Sequence, residues 1–109
     1  MKNSANESSE TLKILVAEEN QLACSALEEL LKVLGHSVMV TQDGEDALNM
    51  FHETIPDLVF SGLTLPKLGG MELLREVKSG SGKTLFVMIC PMSDPEKIQH
   101  AMKQGLQIS

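Results

Sequence analysis

The stretch that decides the fold is Pro56–Gly70, PDLVFSGLTLPKLGG. It begins with an apolar, strand-like segment at Leu58–Phe60, breaks at Ser61-Gly62 and turns at Pro66 before the pair Gly69-Gly70. In α/β proteins, a strand that ends in a glycine-containing loop is a common place for functional residues. We therefore expect this loop to lie at the functional edge of the protein.

Short apolar segments alternate with amphipathic ones on both sides of this stretch. The apolar segments have the length of strands buried on both faces, and they lie at Lys13–Ala17, Val38–Val40, Leu58–Phe60 and Leu85–Ile89. The segments between them have helical spacing, and the first predicts one buried stripe of Leu22, Ala26, Leu27, Leu30, Leu31 and Leu34, followed by a C-cap at Gly35.

Helix-start signals support the same division of the chain. Asp43 can cap a second helix, Met71, Leu74 and Val77 mark a third, and Ser93-x-x-Glu96 is a capping-box pattern for a fourth. Strands that alternate with helices in the order βαβαβαβα predict an α/β fold with a doubly wound parallel sheet.

Length, charge and cysteine content narrow the class of protein. The 109 residues predict one domain at 11–109 after a disordered polar tail at 1–10. A net charge of −6 with scattered basic residues argues against nucleic-acid binding. No apolar run reaches membrane-spanning length. Cys24 and Cys90 lie in apolar segments, which favours a reducing compartment, and we predict a cytoplasmic protein.

Three predicted strands end in residues that could carry chemistry. These residues are Glu18 and Glu19 after the first strand, Ser61, Gly62 and Thr64 at the third, and Cys90, Pro91 and Met92 after the fourth. Two carboxylates beside an oxygen-rich loop could hold a hard cation such as Mg²⁺. The same Glu18-Glu19 pair is also typical of a solvated acidic turn at a helix start, and local sequence alone favours this second interpretation.

Over residues 12–107 the chain resembles the receiver domain of two-component response regulators. The resemblance rests on the element order and on the phrases KILVAEEN, DGEDAL, PDLVF, LPKLGGMELLREVK and AMKQG. It implies a flavodoxin-like sheet with strand order 2-1-3-4-5. Four of the usual five strands are expected here, because the chain stops before the last strand and helix.

The resemblance also implies a phosphorylation site and assigns its positions. The metal-binding acidic pair corresponds to Glu18-Glu19, where the family usually has aspartates, and Thr64 corresponds to the residue whose carbonyl completes the metal site. Counted back from Leu65-Pro66, the phosphoacceptor aspartate corresponds to Gly62. The Ser or Thr that responds to phosphorylation corresponds to Cys90, and the lysine of the fifth strand would lie beyond the end of the chain.

Glycine has no side-chain nucleophile, so we expect no phosphoryl transfer to residue 62. Ser61 should point away from the pocket because side chains alternate along a strand, and Asp57 lies about 16 Å upstream. The longer glutamates and the missing acceptor carboxylate predict weak Mg²⁺ binding at best and no other cofactor.

The sequence therefore predicts a non-enzymatic, non-phosphorylated protein-interaction module of a phosphorelay. Its expected partner is a histidine kinase, a phosphotransfer protein or another regulator, or a second copy bound at the exposed edge of the fourth strand. The alternatives are a receiver with an unconventional acceptor and a non-functional truncated fragment.

Three further patterns are interpreted as incidental. Ser81–Thr84, SGKT, lacks the first glycine and the strand-to-helix order of a P-loop, Cys90 is expected to be a core thiol, and His36, His52 and His100 are expected on the surface without metal-ligand spacing.

Overall fold

A computed structural model of the protein describes residues 10–89 and Lys103. The described part contains four strands: β1 (Lys13–Ala17), β2 (Ser37–Thr41), β3 (Leu58–Gly62) and β4 (Leu85–Ile89). Three helices alternate with them: α1 (Gln21–Val33), α2 (Gly44–Thr54) and α3 (Gly70–Gly80). The alternation predicted from the sequence is confirmed over this part of the chain.

The four strands form one parallel sheet in the order β2-β1-β3-β4. Its register pairs Ala17 of β1 with both Thr41 and Ser61, and Gly62 of β3 with Ile89 of β4. This is the predicted doubly wound, flavodoxin-like order. Because all strands run in the same direction, the residues that follow β1, β3 and β4 meet at one edge of the sheet.

Each face of the sheet has its own core. Helices α2 and α3 cover one face, where Phe51, Leu73 and Val77 pack against Leu15 and Val59. Helix α1 covers the other face, where Cys24 and Leu31 pack against Ile14 and Val16. Successive residues of β1 thus enter opposite cores, which explains why its sequence is continuously apolar.

Two details of the predicted elements are wrong. Strand β3 does not break at Ser61-Gly62 but continues through both residues, because each still pairs with β4. The buried face of α1 is formed by Cys24 and Leu31 with half-buried Leu27, whereas several leucines of the predicted stripe are exposed, namely Leu22, Leu30 and Leu34. A helix this rich in leucine has apolar residues on more than one face, so periodicity alone does not identify the buried one.

The predicted helix ends agree better with the structure. Asp43 accepts a hydrogen bond from the Asp46 N–H at 2.7 Å and caps α2. Gly35 follows the end of α1 with φ of +98°, a left-handed conformation suited to glycine. His36 differs from the surface prediction, because it is half-buried and its Nδ1 accepts a hydrogen bond from the Leu12 N–H.

Several predictions concern residues outside the described part. They are the tail, of which only Glu10 is described, the strand-end residues Cys90, Pro91 and Met92, the fourth helix, and His100. Within the described residues, no helix has the length and apolar character needed to cross a lipid bilayer.

Candidate functional site

A cleft of about 350 Å³ opens at the edge of the sheet where β1, β3 and β4 end. The described residues that line it are Glu18, Glu19, Asn20, Gly62, Leu63, Thr64 and Ile89. Two of these residues are carboxylates, and no basic residue of the described chain lines the cleft. The site is therefore acidic, and it lies where open α/β sheets bind their ligands.

Main-chain hydrogen bonds fix the walls of the cleft. The Glu18 N–H donates to the Thr41 carbonyl at 3.1 Å and so extends the pairing of β1 with β2. On the other side, the Leu63 N–H donates to the Ile89 carbonyl at 3.2 Å and extends the pairing of β3 with β4. The acidic turn and the loop after β3 are thereby held at fixed positions along the sheet edge.

The side chain of Glu18 is anchored on the turn that leads into α1. Its Oε2 accepts a hydrogen bond from the Asn20 N–H at 2.6 Å. Asn20 in turn caps α1, since its Oδ1 accepts from the Ala23 N–H at 2.9 Å. A carboxylate is favourable at this position because it satisfies a free N–H and faces the positive end of the helix.

The loop between β3 and α3 is held by close backbone contacts. The Gly70 N–H donates to the Leu63 carbonyl at 3.0 Å, and the Gly44 N–H donates to the Pro66 carbonyl at 3.0 Å. A Cβ at Gly44 would overlap the Leu68 carbonyl, and one at Gly70 would overlap the Gly62 carbonyl. Glycine at both positions allows the loop to pack directly on the starts of α2 and α3.

The structure brings together four residues singled out in the sequence: Glu18, Glu19, Gly62 and Thr64 all line the cleft. Ser61 does not line it; its side chain is buried and its hydroxyl donates to the Gly62 carbonyl at 2.8 Å. Asp57 lies at the opposite end of the sheet, where its Oδ2 accepts from the Lys13 N–H at 2.8 Å. Cys90 lies outside the described residues.

Sequence reasoning missed three residues of the cleft. Asn20 could have been found from its position just before the apolar pattern of α1, where asparagine is a favoured N-cap. Leu63 and Ile89 carry no such signal, because they line the cleft through the pairing of β3 and β4. Their position depends on the register of the sheet.

One ionisable group near the site has a clearly altered pKa. Burial raises the pKa of the Cys24 thiol, and the negative charges of Glu28 and Glu18 raise it further. The thiol is therefore protonated and unreactive at neutral pH. It belongs to the α1 core and does not line the cleft.

Glu18 and Glu19 are the carboxylates that the described residues offer to a metal ion in the cleft. Within the described residues, no group of three or more His, Cys, Asp or Glu side chains is placed to hold a metal. Of the two glutamates in the cleft, Glu18 already uses Oε2 for the Asn20 N–H. Mg²⁺ in proteins is commonly held by one or two carboxylates, with waters at the other positions of its octahedron.

The family model for the response regulator receiver domain matches residues 14–108. The chain belongs to the response regulator receiver family. The match runs from Ile14 of β1 through the other three described strands, and receiver domains are signalling modules of two-component systems. The resemblance seen in the sequence is thus confirmed.

Individual proteins agree with this assignment. The receiver is 32% identical over 76 residues to the probable transcriptional regulator ycf27 of Guillardia theta, covering 70% of this chain and 30% of that protein. It is 26% identical over 95 residues to the Regulator of RpoS of Escherichia coli, covering 87% of this chain and 28% of that protein. The receiver therefore spans less than a third of the length of these curated relatives.

Solved structures show the same fold. A response regulator receiver domain protein from Clostridium thermocellum superposes with a TM-score of 0.76 at 28% identity, covering 85% of this chain and 75% of that one.

Proposed function

We propose that this receiver is a protein-interaction module that is not phosphorylated at the position receivers normally use. The observation that supports this most directly is Gly62, which ends β3, lines the cleft and stands four residues before Pro66 in the loop motif of the family. A glycine offers no oxygen to attack a phosphoryl donor.

Neither substitute acceptor is supported by its surroundings. Ser61 is fully buried and its hydroxyl is already committed to the Gly62 carbonyl, so it cannot reach a phosphoryl donor in the cleft. Asp57 is exposed but lies at the other end of β3, where it accepts a backbone hydrogen bond from β1. Both contacts favour the non-phosphorylated module over a receiver with an unconventional acceptor.

We further propose that Mg²⁺ binds weakly if at all, and that no other cofactor is used. The support is the donor set: two glutamates and the Thr64 carbonyl remain, and the third carboxylate that an acceptor would contribute is missing. The protein would then act by binding, without catalysing a reaction.

The proposed partner is a protein of the same phosphorelay, namely a histidine kinase, a phosphotransfer protein or another regulator. The net charge of −6 supports a protein rather than a nucleic-acid partner. A cytoplasmic location and a single domain over 11–109 stay predictions.

Intact-mass measurement after incubation with acetyl phosphate and Mg²⁺ tests the central proposal. A receiver with an acceptor aspartate serves as the positive control in the same buffer. The wild-type chain should gain no phosphoryl group while the control gains one. A single phosphoryl adduct on the wild-type chain would reject the proposal, and peptide mapping would then identify the acceptor.

A homodimer through the edge of β4 is a second part of the proposal. Among the described residues β4 pairs only with β3, and its side chains Leu85 and Ile89 are 66% and 36% exposed. An apolar strand edge of this kind is a template for pairing with another chain. Light scattering after size-exclusion chromatography should find a dimer, and a stable monomer at micromolar concentration would count against this interface.

A further inference from the structure

Helix α1 is apolar on two opposite sides. One side packs against its own sheet through Cys24 and Leu31. At 3.6 residues per turn, Leu22, Ala26 and Val33 lie within about 40° of one another, on the side of the helix opposite this core. All three are exposed, Leu22 by 83% and Val33 by 79%. We call these three residues the outer stripe of α1. A helix with apolar residues on opposite sides is typical of one buried between two layers.

The polar residues of α1 do not lie on the side that points away from the sheet. Helical spacing places them together on one flank of the helix, beside the outer stripe. They include the ion pair of Lys32 with Glu28, at 2.9 Å. The whole set is Gln21, Ser25, Glu28, Glu29 and Lys32. An ordinary surface helix has its charged residues opposite the core, so the outer stripe stands where solvent-facing residues are expected.

The sheet has a second apolar surface on the same side as α1. Leu58 and Phe60 of β3 pack against the α1-side core, and they pair in register with Leu85 and Val87 of β4. Neighbours in register point to the same face of a sheet, and Ile89 follows Val87 on that face. Leu85 is 66% exposed, Ile89 is 36% exposed and the other three are half-buried. We call these five residues the open face.

The open face has the width of one helix. In the described part of the chain, α1 packs over β1 and β2, whereas two helices, α2 and α3, cover the opposite face of the sheet. The two strands left on the α1 side are together about 10 Å wide, which is the diameter of a helix with its side chains. Parallel sheets are normally covered on both faces. The open face is therefore a surface suited to an apolar helix.

We propose that two copies of this receiver pair face to face, so that α1 of each copy lies between its own sheet and the open face of the other. A two-fold axis parallel to the strands brings this about in both directions at once. The lengths agree, because the outer stripe is about 17 Å long and the five-residue strands β3 and β4 are also about 17 Å long. The interface does not depend on phosphorylation at position 62.

The symmetry axis also determines which residues meet. Helix α1 begins at the edge where the strands end and runs back toward the edge where they begin. Leu22 of one copy then faces Ile89 of the other, and Val33 of one copy faces Leu85 of the other. Pairing through the edge of β4 involves no residue of α1, so changes in the outer stripe separate the two interfaces.

Light scattering after size-exclusion chromatography tests the interface with single variants. The wild-type chain should have twice the mass of one chain. Val33→Lys and Leu85→Glu should each raise the dimer dissociation constant by roughly tenfold or more, because each places an unpaired charge in an apolar contact. Both side chains are exposed within one copy, so circular dichroism should show the fold unchanged. Ser25→Lys, on the polar flank of the same helix, is the matched control and should stay dimeric.

Mixing the two variants tests the predicted contact itself. A dimer of one Val33→Lys chain with one Leu85→Glu chain has one lysine–glutamate contact and one unchanged Val33–Leu85 contact. An equimolar mixture should therefore recover the dimer that each variant has lost. A monomeric wild-type chain would overturn the proposal and leave the open face to a different protein. A dimer that Val33→Lys does not weaken would overturn it in favour of the β4 edge, and a mixture that stays monomeric would overturn the predicted pairing.

Discussion

Gly70→Ala should destabilise the protein strongly, although alanine is normally the better helix residue. Gly70 begins α3, and its added Cβ would overlap the Gly62 carbonyl and lie 3.0 Å from both Leu63 Cα and the Leu63 carbonyl oxygen. All three atoms belong to the backbone of β3 and of the loop that follows it. The strain therefore cannot be relieved by turning a side chain.

The size of this effect follows from two opposing terms. Replacing glycine in a helix gains up to about 1 kcal/mol, whereas overpacking against a fixed backbone costs about 1–3 kcal/mol or more. Because the added Cβ at residue 70 would overlap backbone atoms severely, we expect the free energy of unfolding to fall by about 2 kcal/mol in total. That loss corresponds to a fall in Tm of roughly 8–16 °C for a domain of this size.

Gly69→Ala is the matched control, since it adds the same atom one residue earlier. A Cβ there would meet only Glu72 Oε1, at 3.5 Å, and the φ of −70° suits any residue. Alanine is a poorer N-cap than glycine, so the free energy of unfolding of this variant should fall by no more than about 1 kcal/mol.

Urea denaturation and calorimetry on both variants measure the difference. If Gly70→Ala is as stable as Gly69→Ala, then the close backbone approach does not hold the loop after β3. The cleft wall formed by Leu63 and Thr64 would then have to be fixed by other contacts.

Three further perturbations test other features of the fold. Asp43→Ala removes the cap on the Asp46 N–H and should lower the free energy of unfolding, measured by urea denaturation, by about 1 kcal/mol. Asp43→Ser should keep most of the stability that the cap provides. Ile55→Asn should raise the Tm by about 2–6 °C in calorimetry, because a β-branched residue at φ of +43° is strained; a lower Tm would contradict this. Burial raises the pKa of the Cys24 thiol, so its stabilising effect is present below the ordinary thiol pKa and is lost as pH rises through the raised value. Cys24→Ala should therefore reduce the fall in Tm above about pH 8.5, and an unchanged pH profile would argue against a raised pKa.

The sequence was sufficient to predict the sheet because the sheet depends on local patterns. The continuous apolar run at Lys13–Ala17 predicts a strand buried on both faces, and both faces are indeed covered. The end of β3 could not be predicted in the same way. Ser61-Gly62 is a typical turn signal, yet pairing with Met88 and Ile89 keeps both residues in the strand.

The buried face of α1 could not be predicted for a related reason. Leu22 and Leu30 have the same helix propensity and hydrophobicity as Leu31, but only Leu31 packs against β1. Which leucine is buried depends on how the helix is rotated on the sheet. That rotation is set by contacts between distant residues, such as Cys24 with the β1 core, and no local pattern encodes it.

The cleft shows where sequence reasoning reached its limit. The sequence identifies Gly62 as a residue without a nucleophile and Glu18 as an over-long carboxylate, and it treats these as separate defects of a phosphorylation site. The structure joins them through one distance, 2.7 Å from Glu18 Oε1 to the position of a Cβ on residue 62. The Glu18 oxygen is the far end of a flexible, half-buried side chain, so a small movement of Glu18 would make room for a side chain at position 62. It follows that the two residues are neighbours in one cleft, and that the missing nucleophile at position 62 is the defect that a change at position 18 cannot repair.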